Sequence, residues 1–353
     1  MEFEKFKFMQ FTRDIYVGHG VINKAPDVVR KNLLRGNVAI ITGHNTFKIA
    51  GKEISMLLDE ASIENSVFIC DKADEENLNR VTREAKEYGA GIVIGAGGGS
   101  KIDLAKKTAY NLDIPLVSIP TTPSHDGIAS PRASIKRGNW SVSEEAVMPV
   151  SIIADTYIMS KVPYRYLKAG AADVISNETA ILDWKLANRI KGEEFSSSAA
   201  AIAEYASKEL VERAHLIMPE VEESVWLVTK QILASGTSMA IAASSRPASG
   251  SEHLIAHALE TMAPGTAIHG EQVALGCIVA MFLHGKDWKY MENVFKKIGI
   301  STKASDYGIK DNIMIEALRT AHRIRPERFT ILGEVDLSYH AAESALRITN
   351  IID

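Results

Sequence analysis

Cysteine is scarce in this chain of 353 residues: only Cys70 and Cys277 are present, and they lie far apart in the sequence. This scarcity excludes a disulfide framework and a metal cage built from thiolates. A bound metal ion must therefore be held by histidine, aspartate or glutamate.

Long apolar runs and an excess of basic residues are also missing. The longest apolar run, residues 273–283, is well short of the ~20 residues needed to cross a bilayer. Lys and Arg together number 40 against 44 Asp and Glu, so the chain has no basic excess for binding nucleic acid. We expect a cytoplasmic protein that binds a small-molecule substrate, no nucleic acid and no membrane, and that forms a homo-oligomer.

The first part of the chain alternates short β-branched runs with amphipathic stretches, which is typical of a parallel sheet covered on both faces. The pattern predicts an α/β domain at residues 1–162, with a doubly wound, mostly parallel sheet. The predicted strands are residues 37–42, 66–70, 91–94, 116–119 and 151–154, and the helices between them include 46–61 and 74–88.

From residue 163 onward the β-runs disappear and Ala-, Leu- and Glu-rich stretches dominate, which predicts an all-α domain at residues 163–353. The segment PYRYLKAG, residues 163–170, is the predicted boundary because Pro and Gly punctuate it. A small ligand is expected in the cleft between the two domains. The predicted helices are residues 172–191, 197–217, 222–243, 253–262 and 271–283.

A glycine-rich loop, GAGGGSK, lies between a predicted strand and a helix. Gly95, Gly97, Gly98 and Gly99 let a phosphate approach the backbone, and the amides of the new helix offer donors to it. Neither the G-x-G-x-x-G fingerprint nor the P-loop pattern is present. The loop fits a pyrophosphate, although a plain strand-to-helix turn is the alternative.

A second polar turn, IPTTPSHDGIASPRASI, follows the next predicted strand. At the carboxyl end of a parallel strand such side chains are placed to meet a ligand, although a well-satisfied loop is an equal alternative. We expect His125 on the loop surface. The polar candidates in this turn are Thr121, Thr122, Ser124, Asp126 and Ser130.

Histidines cluster in the second half. His253 and His257 are four apart in SGSEHLIAHALE and so share one helix face, His269 precedes the next helix, and Asp173 lies in AGAADVISN. Two imidazoles and a carboxylate would leave a coordination position open, as in a catalytic metal site. Each histidine alone is more often a hydrogen-bonded core or surface residue. The spacing does not separate Zn²⁺ from Fe²⁺.

Five segments in order, GGGSKIDLAK, IPTTPSHDGIASPRASI, AGAADVISN, SGSEHLIAHALE and HGEQVALG, resemble the iron-containing alcohol dehydrogenase and glycerol dehydrogenase superfamily. The closest resemblance is to its archaeal branch that acts on sn-glycerol 1-phosphate. The resemblance implies a dehydroquinate synthase-like and glycerol dehydrogenase-like architecture, an NAD or NADP cofactor and a divalent metal. It further implies reduction of dihydroxyacetone phosphate to sn-glycerol 1-phosphate for archaeal membrane lipids.

The resemblance also implies roles for individual residues. Asp173, His253 and His269 would bind Zn²⁺, with Fe²⁺ as the alternative. Asp126, His257 and the metal-binding Asp173 would contact the substrate, with Asp126 and His257 as the catalytic residues. The cofactor would contact Gly99, Ser100, Lys101, Ile102, Asp103, Thr121, Thr122, Pro123, Ser124 and Ser130.

The residues that bind the substrate phosphate are not implied by the resemblance. Arg246, Ser249 and Ser251 precede a predicted helix, and a guanidinium with hydroxyls at such a place makes an anion site. Three other functions stay open: a glycerol dehydrogenase for unphosphorylated glycerol, a 3-dehydroquinate synthase-like lyase, and a nucleotide-binding module without activity.

Overall fold

The computed structural model describes residues 6–33, 35–138 and 140–353. A sheet of six parallel strands has the order β1-β8-β5-β4-β2-β3, and β6 and β7 form a separate antiparallel hairpin. The predicted α/β fold followed by helices is therefore confirmed. The strands are β1 Asp14–Gly18, β2 Asn37–Thr42, β3 Asn65–Ile69, β4 Ala90–Gly97, β5 Leu116–Pro120, β6 Arg132–Arg137, β7 Trp140–Glu145 and β8 Ser151–Asp155.

Helices cover the sheet and provide most of the regular structure after β8. The four longer helices between the strands are α1 Ala25–Asn32, α2 Lys52–Glu60, α3 Glu75–Glu87 and α4 Gly99–Leu112, and a short helical segment, His44–Gly51, leads into α2. The later ones are α5 Thr156–Ser160, α6 Tyr164–Ile175, α7 Asn177–Lys191, α8 Ser197–Glu212, α9 Glu222–Ala242, α10 Ser251–Met262, α11 His269–Leu283, α12 Trp288–Lys297, α13 Asp311–Thr320 and α14 Tyr339–Ile348.

The apolar core has clusters within the sheet half and a larger one centred on the later helices. The central strands are apolar along their length because helices bury both faces of the sheet, as with Ile40, Ile41 and Ile94, each fully buried. Helices α6 to α14 pack around the larger apolar cluster, which includes Leu254 and Phe295, and Ile102 of α4 and Ile152 of β8 also belong to it.

The predicted strands agree with the structure to within a few residues, but three strands were missed. β1 lies at the edge of the sheet against β8, and its residues are partly exposed. The hairpin β6–β7 includes part of the segment interpreted as a turn. These strands lack the continuous apolar run of a fully buried strand.

The predicted linker at residues 163–170 is helical, because α6 begins at Tyr164 directly after Pro163. Gly170 lies inside this helix, where a Cβ atom would come within 1.9 Å of the Pro123 carbonyl oxygen. Gly170 therefore allows a close approach between α6 and the turn after β5 and does not mark a linker. Whether the chain divides into domains at residue 163 stays a prediction.

Among the described residues, no helix is both long and apolar enough to cross a membrane.

Candidate metal centre and active-site cleft

Three helices bring the predicted metal ligands together. Asp173 lies in the last turn of α6, His253 in the first turn of α10, and His269 is the first residue of α11. Asp173 Oδ1 lies 3.3 Å from His253 Nε2 and 3.7 Å from His269 Nε2. Their candidate ligand atoms all lie within 4.8 Å of one another.

Close backbone contact makes this convergence possible. Gly270, which follows His269, packs so tightly on α6 that a Cβ atom would lie 2.0 Å from the Ala169 carbonyl oxygen. A side chain there would push α11 away from α6 and so separate His269 from Asp173.

Two glutamates orient the imidazoles. Glu252 Oε1 lies 2.9 Å from Nδ1 of His253, and Glu260 Oε1 lies 2.8 Å from Nδ1 of His269. An ionised carboxylate only accepts hydrogen bonds, so each Nδ1 carries the proton and each Nε2 is directed at Asp173. Carboxylates placed behind histidine ligands in this way are typical of metal sites. Neither glutamate was predicted from the sequence.

The carboxylate of Asp173 is only half satisfied by hydrogen bonds. Its Oδ2 accepts from the backbone N–H of Asp126 at 2.9 Å, whereas its buried Oδ1 has no hydrogen-bond partner among the described residues. A buried carboxylate oxygen rarely lacks a donor. A divalent cation bound between this oxygen and the two imidazole Nε2 atoms would supply the missing partner.

The charges at this point also favour a cation. Burial by itself would lower the pKa of His253, but Asp173 and Glu252 raise it to about 10. Burial would raise the pKa of Asp173, yet His253 and His269 hold it at about 2. The carboxylates that stabilise an imidazolium here would equally stabilise a metal ion after His253 loses its proton.

His257 and Asp126 lie beside this centre. Nδ1 of His257 bonds Glu260 Oε2 at 2.9 Å, so Glu260 links His257 to His269. Burial lowers the pKa of His257. Asp126 accepts a hydrogen bond from Ser235 Oγ at 2.8 Å, and burial with the nearby Asp173 raises its pKa to about 7.

A second trio of possible ligand atoms, from His257, Glu260 and His269, shares His269 with the first. It has no buried carboxylate oxygen without a partner, because both Glu260 oxygens accept from imidazoles. We therefore take Asp173, His253 and His269 as the candidate metal centre.

A cavity of about 660 Å³ joins the metal centre to the glycine loop. β4 ends at Gly97 and α4 begins at Gly99, and Thr121 N donates to Gly97 O at 3.0 Å, so the polar turn lies beside the loop. The predicted cofactor residues that line the cavity are Gly99, Ser100, Asp103, Ser124 and Ser130.

The other predicted cofactor residues are turned elsewhere. Lys101 Nζ donates to the Asp71 carbonyl oxygen at 2.6 Å, and Ile102 packs in the apolar core. The segment Thr121, Thr122 and Pro123 is buried and does not line the cavity.

Two sequence-based expectations in this region are wrong. His125 is not a surface residue: it lines the cavity, accepts from Gly127 N at 2.9 Å, and packs where a Cβ atom on Gly99 would meet its ring at 1.9 Å. Arg246 does not face the cavity, because its guanidinium is bound to Glu193 and to the Phe329 carbonyl oxygen.

The backbone amides at the start of α10 already donate hydrogen bonds to carboxylates of the protein. The backbone amide of Gly250 donates to Glu252 and that of Ser251 to Asp183. Of the three residues predicted to hold a phosphate, only Ser249 lines the cavity.

Comparison with known proteins agrees with this geometry. The family model described as iron-containing alcohol dehydrogenase matches residues 16–163. The chain is 58% identical to the glycerol-1-phosphate dehydrogenase (NAD(P)+) of Picrophilus torridus, with 100% of both chains covered. It is 46% identical to the enzyme of that name from Methanosarcina acetivorans, over 98% of this chain and 97% of the relative.

Solved structures share the fold at lower identity. A probable glycerol dehydrogenase from Sinorhizobium meliloti superposes with a TM-score of 0.80 at 21% identity, covering 99% of this chain and 100% of that one. The glycerol dehydrogenase of Schizosaccharomyces pombe gives the same TM-score of 0.80 at 21% identity, over 99% of this chain and 92% of that one. Since relatives well above 30% identity span the whole chain, it belongs to the family of NAD(P)+-dependent glycerol-1-phosphate dehydrogenases.

Proposed function

We propose that the chain catalyses the reversible, NAD(P)H-dependent reduction of dihydroxyacetone phosphate to sn-glycerol 1-phosphate. The observation that carries the proposal is the buried Asp173 Oδ1, which has no hydrogen-bond partner among the described residues and faces two imidazoles in the cavity that the glycine loop also lines. The names of relatives up to 58% identical over the full chain support the same reaction.

Asp173, His253 and His269 would hold a divalent cation, and this donor set suits both Zn²⁺ and Fe²⁺. The loop residues 99–103, the turn 121–124 and Ser130 would hold NAD(H) or NADP(H). When bound, the reduced nicotinamide supplies a hydride and the cation polarises the carbonyl at C2 of the substrate.

The protein's own residues supply the proton. Glu260 occupies Nδ1 of His257, which leaves Nε2 for the substrate. Because Nδ1 keeps its proton on Glu260, His257 first takes up a second proton at Nε2 from solvent. As the imidazolium it would then give that proton to the oxygen at C2 when the carbonyl is reduced, and so return to the neutral form. Asp126, held by Ser235 Oγ at 2.8 Å, binds a substrate hydroxyl through its other oxygen.

The proposal extends to assembly and location. We place the enzyme in the cytoplasm as a homo-oligomer, and its product would supply the glycerol backbone of archaeal membrane lipids. Exposed apolar side chains ahead of β1, among them Phe6 at 88% and Phe8 at 66%, support association between copies. A monomer in light scattering at micromolar concentration would contradict the homo-oligomer.

The direct test is a spectrophotometric assay with dihydroxyacetone phosphate and either NADH or NADPH, before and after chelation, with the chirality of the product determined. We expect consumption of the reduced cofactor, formation of the sn-1 isomer, and loss of activity on chelation. Glycerol oxidised faster than glycerol 1-phosphate would favour a glycerol dehydrogenase. Turnover without net use of NADH would favour the lyase.

A further inference from the structure

Arg325 is a cation in the cavity whose charge the proposed mechanism does not use. It follows the short helical turn Ala321–Ile324 and lines the same 660 Å³ cavity as His253, His257 and His269. It is only half-exposed. Within the part of the chain that the structure describes, its guanidinium forms no hydrogen bond and no ion pair within 4 Å.

Two further guanidinium groups lie near enough to Arg325 for the charges to act on one another. Arg328 donates to the Ser249 carbonyl oxygen at 2.6 Å and to Ser245 Oγ at 2.8 Å, and Arg132 donates to Ser143. None of the three forms an ion pair with a carboxylate of the described chain. We call Arg132, Arg325 and Arg328 the arginine cluster.

Burial and like charge disfavour the charged forms of Arg325 and Arg328. Burial, together with the charges of Arg325 and Arg246, lowers the pKa of Arg328 to about 9. Burial and the charge of Arg132 lower the pKa of Arg325, and Glu327 only partly offsets them. Like charges held together in a partly buried place are stabilised when an anion binds between them.

We propose that Arg325, assisted by Arg132, binds the phosphate group of the substrate, an inference that rests on the proposed function. A guanidinium with free donors in a fixed fork matches the oxygens of a phosphate monoester. Arg132 lines the cavity as well and comes from β6, whereas Arg325 comes from the helical half, so the phosphate would bridge the two parts of the fold.

Two phosphate monoesters could bind such a cluster: that of the substrate and the 2′-phosphate of NADP(H). The position of the arginine cluster favours the phosphate of the substrate. Arg328 holds the backbone at Ser249, and Ser249 lies just before the helix that carries His253. Glu252, which orients His253, is among the charges that act on Arg328. The cluster is therefore tied to the metal side of the cavity, where the substrate carbonyl would lie.

The test compares Arg325→Gln with Arg325→Lys and with Arg323→Gln, all as the metal-loaded enzyme. Arg323 is the matched control because it lies two residues away, is exposed and pairs with Asp336. We expect Arg325→Gln to lower kcat/KM for dihydroxyacetone phosphate by about 10- to 100-fold, mainly through KM, with Arg325→Lys intermediate. For unphosphorylated dihydroxyacetone we expect less than about a threefold change, because no phosphate contact is lost.

Inorganic phosphate provides a second measurement that does not need turnover of the natural substrate. Its binding to the enzyme, followed by calorimetry, should weaken about 10-fold in Arg325→Gln and stay unchanged in Arg323→Gln. Melting temperature and metal content identify any variant that fails to fold, in which case Arg325→Lys carries the comparison.

The outcomes separate this inference from the proposed function. A wild-type enzyme that reduces dihydroxyacetone phosphate, with an Arg325→Gln variant equally active or equally impaired on both substrates, overturns the inference alone. A raised KM for NADPH but not for NADH assigns Arg325 to the cofactor and also overturns it. A wild-type enzyme inactive on dihydroxyacetone phosphate refutes the proposed function, and phosphate binding by calorimetry still decides whether Arg325 holds an anion.

Discussion

At the scale of single residues, metal binding depends on which polar atoms around Asp173 form no hydrogen bond. Glu252 and Glu260 accept hydrogen bonds from the Nδ1 atoms of both imidazoles. The backbone N–H of Asp126 donates to one oxygen of Asp173. Among the described residues, the ligand set Asp173, His253 and His269 then offers one carboxylate oxygen and two Nε2 atoms, which is a donor set for a divalent cation.

The affinity for this cation should depend steeply on pH. The pKa of His253 in the metal-free protein, about 10, lies above the ordinary value, so the imidazole is protonated at neutral pH and must lose that proton when a metal binds. We expect the affinity for Zn²⁺, measured by competition with a chelator, to rise at least about tenfold per pH unit between about pH 7 and 9, because the pKa of His269 is raised as well. The carboxylate of Asp173, with a pKa of about 2, contributes nothing to this slope.

The matched variant is Glu252→Gln, which removes one of the two carboxylates that raise the pKa of His253. Its slope should be shallower because less of the imidazole is protonated at the start. The metal-free wild type should also lose stability as pH rises through about 10, since the charged form of His253 is favoured only in the folded state. An affinity for Zn²⁺ independent of pH would contradict this account.

The sequence predicted the residues that meet at this centre better than it predicted their partners. Asp173, His253 and His269 were found from residue type, spacing and resemblance, and the structure brings them together. Glu252 and Glu260 were missed, because the sequence does not show which carboxylate of a helix turns toward a histidine. The pair His257 and Glu260, three apart on one helix, was the available signal.

At the scale of elements, a single buried lysine holds the cofactor side of the cleft together. Lys106 on α4 has a fully buried side chain and pairs with Asp103 Oδ1 at 2.7 Å. It also donates to the carbonyl oxygens of Gly127 and Arg132. Asp103 Oδ2 in turn accepts from Ser134 N at 3.1 Å, so this pair joins α4 to the polar turn and to the hairpin β6–β7.

We therefore expect Lys106→Met to destabilise the fold by about 3–5 kcal/mol, because it leaves the carboxylate of Asp103 buried without its partner. Denaturant unfolding measures this loss. The control Lys208→Met removes an exposed pair with Glu212 and should cost no more than about 1 kcal/mol. The double variant Lys106→Met, Asp103→Leu should recover part of the loss, and a double variant no better than Lys106→Met would contradict the pairing.

Elements buried on both faces were predictable, and elements with mixed exposure were not. The continuous apolar run of β2 gave its bounds correctly, because only a strand covered by helices on both sides has that pattern. The hairpin β6–β7 and the edge strand β1 were missed. The start of α6 was also missed, because Gly170 looked like a linker residue until its contact with Pro123 was visible.

At the scale of the whole molecule, the two halves of the cleft have separate supports. The glycine loop rests on the sheet through β4 and α4, whereas the candidate metal ligands come from α6, α10 and α11. One apolar cluster lies within the sheet half, whereas the cluster of the later helices also takes in Ile102 of α4. The binding of the nucleotide and the binding of the metal should therefore be separable.

Removal of the metal should abolish turnover while leaving the cofactor bound. After dialysis against a chelator we expect NADH to bind with an affinity within about threefold of that of the metal-loaded protein, measured by fluorescence, because the loop residues Gly99 and Ser100 need no metal to keep their conformation. Reduction of dihydroxyacetone phosphate should fall by at least about 100-fold, because the carbonyl loses its polarising cation. Addition of Zn²⁺ or Fe²⁺ should restore it.

The control for this experiment is Asp173→Asn, which keeps the shape of the site but removes the charge of the buried carboxylate. It should bind NADH normally and fail to recover activity when metal is added. If chelation instead released NADH along with the metal, the two halves of the cleft would depend on each other. The cation would then have to be part of what holds the cofactor loop against the helical half of the fold.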